Sequence, residues 1–420
     1  MKHVIIGNGP AGVVAAETLR KLDAKADIVL AGDEPEPPYS RMAIPYLLMG
    51  NIAESGTHLR KDQEHFSRLN IRLVHARAEN IDSAAKSVKL ANGDTLPFDR
   101  LLIATGSHPV QPPVPGMDLP GVHTCWTLAD ARQIIAQAKP GARVVQMGAG
   151  FIGCIIMEAL AARGVKLTVV EMGDRMVPRM MNETAGGMIK QWVEQKGVKV
   201  YTSARIEAIS QQDGAQGELS AKLSSGAQVA ADMIISATGV RPNIDFLQGS
   251  GINVNAGILV DERLQTSVPG IYAAGDVTES IGFHSGEPEL NAIQPNAADQ
   301  ARIAASNMAG QAVQFQGSLA VNVLDTLGLI STSFGQWWGA GRSEGGESAE
   351  LVDAANYRYL SLQFKEDVLI GATSIGWTAH VGALRGLIQG RVRLGEWKAR
   401  LLADPTQFQA AYICAAQMTA

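Results

Sequence analysis

A G-x-G-x-x-G turn set between an apolar strand and a helix occurs twice in this sequence, and no other feature restricts the possible folds as much. The first copy is Gly7, Gly9 and Gly12, after a strand expected over His3 to Ile6 and before a helix beginning near Pro10. The second is Gly148, Gly150 and Gly153, between a strand over Arg143 to Met147 and a helix over Phe151 to Arg163. In such a turn the first glycine permits the tight bend, the second lets a pyrophosphate approach the backbone, and the third lets helix and strand pack closely. Phosphates then meet free N–H groups at the helix N-terminus. The expected contacts are Gly7, Gly9, Pro10, Ala11 and Gly12 in one copy, and Gly148, Gly150, Phe151, Ile152 and Gly153 in the other.

An acid some 20 residues beyond the first glycine holds the adenosine ribose in such folds. After the second turn it is Glu171, directly behind a strand over Lys166 to Val170. A carboxylate there accepts from a free 2′-hydroxyl and repels a 2′-phosphate, so NADH is expected over NADPH. After the first turn, a strand over Asp27 to Ala31 runs into Gly32, Asp33 and Glu34. Glu34 is the expected ribose acceptor, with Asp33 as the alternative and a solvated loop carboxylate as the plain reading.

The repetition extends further. Strands over Arg100 to Ala104 and Met233 to Ala237 both end in Ala-Thr-Gly, at Ala104-Thr105-Gly106 and Ala237-Thr238-Gly239. One dinucleotide fold is therefore expected to be inserted in another. Strands are expected over Leu73 to Ala78 and Gly257 to Val260, a hairpin around Asn92-Gly93, and a helix over Ser40 to Met49 closed by Gly50. Thr266 to Asp276 reads as a short apolar strand ending in Gly275 and Asp276, whose carboxylate can take a polyol hydroxyl. A helix follows from about Asn296 to Ala309. Beyond Val321 an alternating hairpin with a Glu366-Asp367 turn, then helices over Val381 to Gln389, Gly395 to Ala403 and from Thr406, indicate a third region. The fold class is α/β: two nested Rossmann-like dinucleotide-binding domains, at 1-115 with 245-320 and at 116-244, plus a C-terminal α+β interface domain at 321-420.

Composition narrows the function classes. A formal net charge of -5 argues against nucleic acid. The three cysteines, Cys125, Cys154 and Cys414, form no C-x-x-C, so neither a zinc site nor a dithiol motif is expected, and no metal. No apolar run is long enough for a membrane span. A strand starting at residue 2 leaves no room for a signal peptide, so a cytoplasmic protein is expected.

Together these motifs resemble the pyridine nucleotide-disulfide oxidoreductases, the two-dinucleotide-binding flavoproteins, over roughly the first 320 residues. The first glycine turn with Glu34 is similar to the family's FAD motif, and the second with Glu171 to its NAD motif. Thr266 to Asp276 is similar to its second FAD motif. The resemblance implies FAD contacts at Tyr39, Arg41, Ala78, Ala104, Thr105, Gly106, Gly275, Asp276 and Pro295. It implies NAD contact at Gly239, and amides at Asn296 and Ala297 facing the flavin. It also implies a homodimer through the C-terminal region, with Trp337 and Trp338 fitting either an interface or ordinary packing. Pro38-Tyr39-Ser40-Arg41 looks most like the nitrite-reductase flavin portion and the ferredoxin- and rubredoxin-reductase group.

Departures from that pattern define the expected chemistry. Methionine, Met42, stands where relatives open a C-A-L-P-Y-like segment with a redox cysteine. A thioether cannot form a thiolate or a disulfide. A lysine–glutamate pair frequent near the flavin is replaced by Tyr46 and Ile155. Glu158, one turn along, is either a substitute or a solvated or capping carboxylate. Phe151 stands where the family often has an aromatic gate, or packs as core. The expected function is hydride transfer from NADH to FAD and onward transfer to a partner redox protein or small acceptor. The alternatives are an NADH oxidase or diaphorase acting on oxygen or quinone, and a slow FAD- and NADH-binding redox sensor.

Overall fold

The computed structural model describes residues 1–211 and 218–418. The chain divides into two compact units, Met1–Ala43 with Ile52–His108 and Val240–Leu319, and Ile44–Asn51 with Pro109–Gly239 and Ala320–Ala420.

The first unit is built on a parallel five-stranded sheet in the order Ile271–Ala273, Arg100–Ile103, Lys2–Ile6, Asp27–Gly32, Ile71–His75. Strands buried on both faces read as unbroken apolar runs, as VII and LLI do here. The glycine turn leaves the central strand at the point where strand order reverses, the usual position for a ligand crevice. The helix Pro10–Leu22 packs on the helix Gln294–Met308 through Ala11, Ala15, Ala16, Ala301, Ala304 and Ala305. Small side chains let the two helices approach closely, and fully buried Leu19 anchors the pair, contributing about 2 kcal/mol.

The second unit repeats the plan with Lys199–Tyr201, Lys166–Val170, Arg143–Met147, Met233–Ser236 and Val122–Thr124, again all parallel. It also holds an antiparallel sheet in the order Val321–Thr326, Leu329–Gly335, Val368–Ile375, Arg358–Lys365, Gly346–Asp353. Helices Gly382–Gln389, Glu396–Ala403 and Phe408–Met418 follow it. Two bonds join this sheet to the Glu183–Gln195 helix. Asn182 Nδ2 donates to Tyr359 Oη at 2.6 Å, and Trp192 Nε1 donates to the Leu327 carbonyl at 3.1 Å.

One strand and one helix after Glu34 differ in kind from the sequence expectation. The strand expected over Leu73 to Ala78 is two strands, Ile71–His75 in the parallel sheet and Ala78–Asp82 in an antiparallel meander. His75 pairs with Gly32, the last residue of the neighbouring strand, so the chain has no partner in that sheet beyond it. The helix expected from Ser40 is a single 3-10 turn, Arg41–Ala43, followed by Ile44–Met49. Pro45 has no N–H to give to the Arg41 carbonyl, which ends helical bonding upstream. The Ile44–Met49 helix buries Ile44 and Leu48 within the second unit, and Arg163 Nη1 donates to the Leu48 carbonyl at 2.8 Å.

Candidate cofactor sites

The three glycines of each turn do three different jobs. Gly7 and Gly148 have φ of +106° and +96°. A Cβ on Gly7 would lie 2.0 Å from the Ala104 carbonyl oxygen, and one on Gly148 would lie 2.5 Å from that of Ala237. Each Ala-Thr-Gly corner is thus the surface against which a glycine turn is pressed. Gly12 and Gly153 face the carbonyls of Gly7 and Gly148 in the same way, at 1.8 and 2.5 Å. Gly9 and Gly150 differ: their backbones are extended, and an added Cβ would meet nothing within 4 Å.

The helices that start there, Pro10–Leu22 and Phe151–Ala162, have no side-chain cap. By contrast, Thr127 and Asn182 cap the helices Leu128–Gln137 and Glu183–Gln195. The first backbone bonds inside the two uncapped helices come from Val13 to Gly9 and from Cys154 to Gly150. The amides of Ala11 and Gly12, and of Phe151, Ile152 and Gly153, precede those bonds, so none has an acceptor within its helix. Open space beside uncapped donors fits a pyrophosphate at both turns.

The acids behind the two turns are not equivalent. Gly7 N donates to Ala31 O at 2.7 Å and Gly148 N to Val170 O at 2.8 Å, which makes Gly32 the counterpart of Glu171. Glu171 accepts from Ala149 N at 2.6 Å and Gly173 N at 2.7 Å, holding the turn from behind. At Gly32 the equivalent volume is filled by the Asn8 side chain, whose Cγ lies 2.3 Å from where a Cβ would be. The acid is therefore displaced along the loop. Glu34 takes a hydrogen bond from Tyr39 Oη at 2.5 Å and a salt bridge from Arg41 Nη2 at 2.5 Å, while Asp33 stands exposed.

Asp276 sits where the first unit's elements converge. A Cβ on Gly275 would touch Ala11 and Ala297 at 3.3 and 3.5 Å, so the turn lies between the starts of two helices. Ser107 Oγ donates to the Asp276 carboxylate at 3.1 Å. Burial pushes this carboxyl above its usual range, while Ser107 and the Arg41 charge oppose the shift. Gln300 holds the turn, its Oε1 accepting from Gly275 N at 2.8 Å. Thr105 Oγ1 donates to Asn243 O and Asn243 Nδ2 to Thr105 O, fixing that corner. Ala78 is buried at the start of its strand, and Thr238 Oγ1 donates to Val110 O beside Gly239.

One expected contact requires correction. The third helix begins at Gln294, two residues earlier than read, with Pro295 in its first turn. Ala297 N already donates to Ile293 O, so it has no N–H to give a ligand. The amides of Gln294 and Asn296, on either side of Pro295, are the first-turn amides that remain.

The thiols near these sites are in the core. Cys125 and Cys154 are buried, and desolvation pushes both up to about 12. Cys154 Sγ donates to Ala149 O at 3.6 Å. Met42 is exposed, as is Tyr46, while Phe151 and Ile155 are half-buried. Among the described residues no cluster of metal-ligating side chains occurs, and no helix is long and apolar enough to cross a membrane.

Glu158, on the same helix as Cys154, is partly buried beside Asp325. Desolvation first, then the Asp325 charge, raises its carboxyl to about 6. The ionised form is thus disfavoured in the folded state. Stability contributed at this position falls as pH rises from about 4.5 to about 6 and stays reduced above it. Glu158→Gln is expected to be more stable than wild type by about 1 kcal/mol at pH 8, after discounting for partial exposure, and equal to it at pH 4. Denaturant melts at the two pH values measure this. A variant less stable at pH 8 contradicts the assignment.

A family model described as pyridine nucleotide-disulphide oxidoreductase matches residues 1–302. The chain belongs to the pyridine nucleotide-disulphide oxidoreductase family. Membership of this family of flavoproteins, with NADH-dependent relatives, supports FAD and NADH as the cofactors of this chain. One relative is the NADH-dependent phenylglyoxylate dehydrogenase subunit epsilon of Aromatoleum evansii, 31% identical over 408 residues, covering 96% of this chain and 95% of the relative. The NADH oxidase of Methanocaldococcus jannaschii is 34% identical over 325 residues, covering 75% of this chain and 71% of its own. A ferredoxin reductase from Rhodopseudomonas palustris superposes with a TM-score of 0.83 at 26% identity, covering 91% of this chain and 93% of its own.

Three residues that shape these turns escape motif reading: Asn8, Gln146 and Gln300. Only Gln146 leaves a trace, as the one polar residue inside the apolar run Val144 to Met147.

Proposed function

We propose that this oxidoreductase takes hydride from NADH onto FAD and passes electrons to a partner redox protein without using a cysteine. Residues 1-115 and 245-320 hold FAD: its pyrophosphate at Gly9 and the Ala11 and Gly12 amides, its adenosine ribose at Glu34 or Asp33, and its ribityl chain at Asp276. Residues 116-244 hold NADH at Gly150 and the Phe151, Ile152 and Gly153 amides, with Glu171 on the ribose and against a 2′-phosphate. Residues 321-420, with exposed Trp338, form a homodimer interface. The flavin supplies the chemistry that turns a two-electron hydride into electrons a one-electron carrier can accept. The protein supplies position and field: Asn296 directs its amide from a helix start, where added negative charge is stabilised.

The observation that carries this reading is the state of the thiols. With Met42 in the family's cysteine position and Cys125 and Cys154 buried as neutral thiols, neither of those two cysteines offers a thiolate to relay electrons. The comparisons support a protein acceptor, since one structural neighbour is a ferredoxin reductase. Free thiols suit the cytoplasm. The test is NADH oxidation after the folded protein has been reduced with NADH without oxygen and treated with iodoacetamide, assayed with oxygen alone and with a ferredoxin or rubredoxin. Activity on the protein carrier is expected to survive alkylation. Its loss would show that a thiol takes part. Equal turnover with oxygen alone would favour an NADH oxidase, as the Methanocaldococcus jannaschii relative is named.

A further inference from the structure

Gln146 lies on the central strand of the second unit, wholly buried among apolar neighbours. Its Nε2 donates to Gly148 O at 2.8 Å and to Gly153 O at 2.9 Å. One amide group thereby joins the first and third glycines of the dinucleotide turn, fastening the strand end to the first turn of the helix. Its other atom, Oε1, is buried with no hydrogen-bonding partner in the protein. An unpaired buried acceptor costs stability, so this residue is a burden on the core that an apolar side chain would not be. The first unit shows that the turn can be built without it. Ile6 and Met147 end their respective strands, each followed by the first glycine, so Ile5 is the counterpart of Gln146. Ile5 is buried and apolar.

The two turns differ in what they must do. A flavin that stays bound can hold its own turn in shape. A nicotinamide cofactor leaves after each turnover, and the turn must then keep its shape with no phosphate between its amides. A loop already in its binding conformation spends less ordering entropy on each arrival. We propose that Gln146 is a positioning residue, which holds the Gly148–Gly153 turn ready for the NADH pyrophosphate between turnovers. This rests on the reading that NADH binds at that turn.

Gln146→Met removes both donors at nearly constant shape. It is expected to raise KM for NADH and Ki for ADP-ribose together, about tenfold, with kcat at saturating NADH, FAD content and KM for the carrier unchanged. Thermal stability should hold or rise, because the unpaired acceptor is removed. A purely structural residue would instead lower the melting temperature and FAD content while leaving KM for NADH alone. That result overturns the proposal, as does an unchanged KM in a stable variant. Gln146→Glu gives a second reading. Its carboxyl can donate to a carbonyl only when protonated, so its NADH KM should fall toward that of wild type as pH is lowered. A KM profile parallel to that of wild type also overturns the proposal. Reduction of the wild-type flavin by NADH tests the underlying reading separately. If NADH does not reduce it, that reading fails whatever the variants show.

Discussion

Gly150→Val should yield a folded, yellow protein that NADH barely reduces. Gly150 has φ of -73° and ψ of -171°, a conformation open to any residue, and a Cβ there meets nothing within 4 Å. The substitution therefore does not strain the unit. Its branched side chain instead fills the space beside the uncapped amides of Phe151, Ile152 and Gly153, the proposed pyrophosphate site. Losing that contact is worth about 3 kcal/mol or more, so kcat/KM for NADH should fall by about a hundredfold or more. Steady-state kinetics with an artificial dye acceptor, together with the flavin spectrum and a thermal melt, check this. A variant with near-wild-type kcat/KM would remove the second turn from the nucleotide site. The same replacement at Gly148 would not be informative, because its positive φ and its contact with the Ala237 carbonyl would distort the unit itself.

Gly9→Val is the complementary experiment, with an equally large expected effect. Its φ of -72° and open surroundings again permit a side chain. Here the blocked group is the cofactor that carries the chemistry, so the purified protein should be colourless and inactive. Its circular dichroism should still report both parallel sheets. Flavin released by denaturation and counted against protein measures the loss. Stoichiometric FAD in the variant would mean that the Gly7–Gly12 turn does not hold its pyrophosphate.

The features that made these sites legible in the sequence are the ones that backbone geometry forces. Only glycine fits where Gly7 meets Ala104 or Gly148 meets Ala237, so the turns and their Ala-Thr-Gly partners announce one another. Buried parallel strands likewise show as apolar runs. What stayed hidden depends on side chains from elsewhere in the chain. Asn8 filling the volume beside Gly32, which moves the acid from strand end to loop, follows from no motif spacing. Gln300 lies 25 residues from the Gly275 amide it accepts from, on a helix whose pattern shows only burial. That helix starts at Gln294, before Asn296, because in a first turn the missing N–H of Pro295 costs nothing. The environment of Glu158 depends on Asp325, in a sheet the local sequence does not reveal as its neighbour.

The most direct test of the central claim is an anaerobic titration of the purified protein with NADH, following the flavin absorbance. A flavin that acts without a redox disulfide is fully reduced by one equivalent of NADH per bound FAD, and prior alkylation of the thiols leaves that endpoint where it was. An endpoint at two equivalents, moving to one once the protein has been reduced and its thiols then alkylated, would reveal a disulfide drawing electrons from the flavin and would contradict the account.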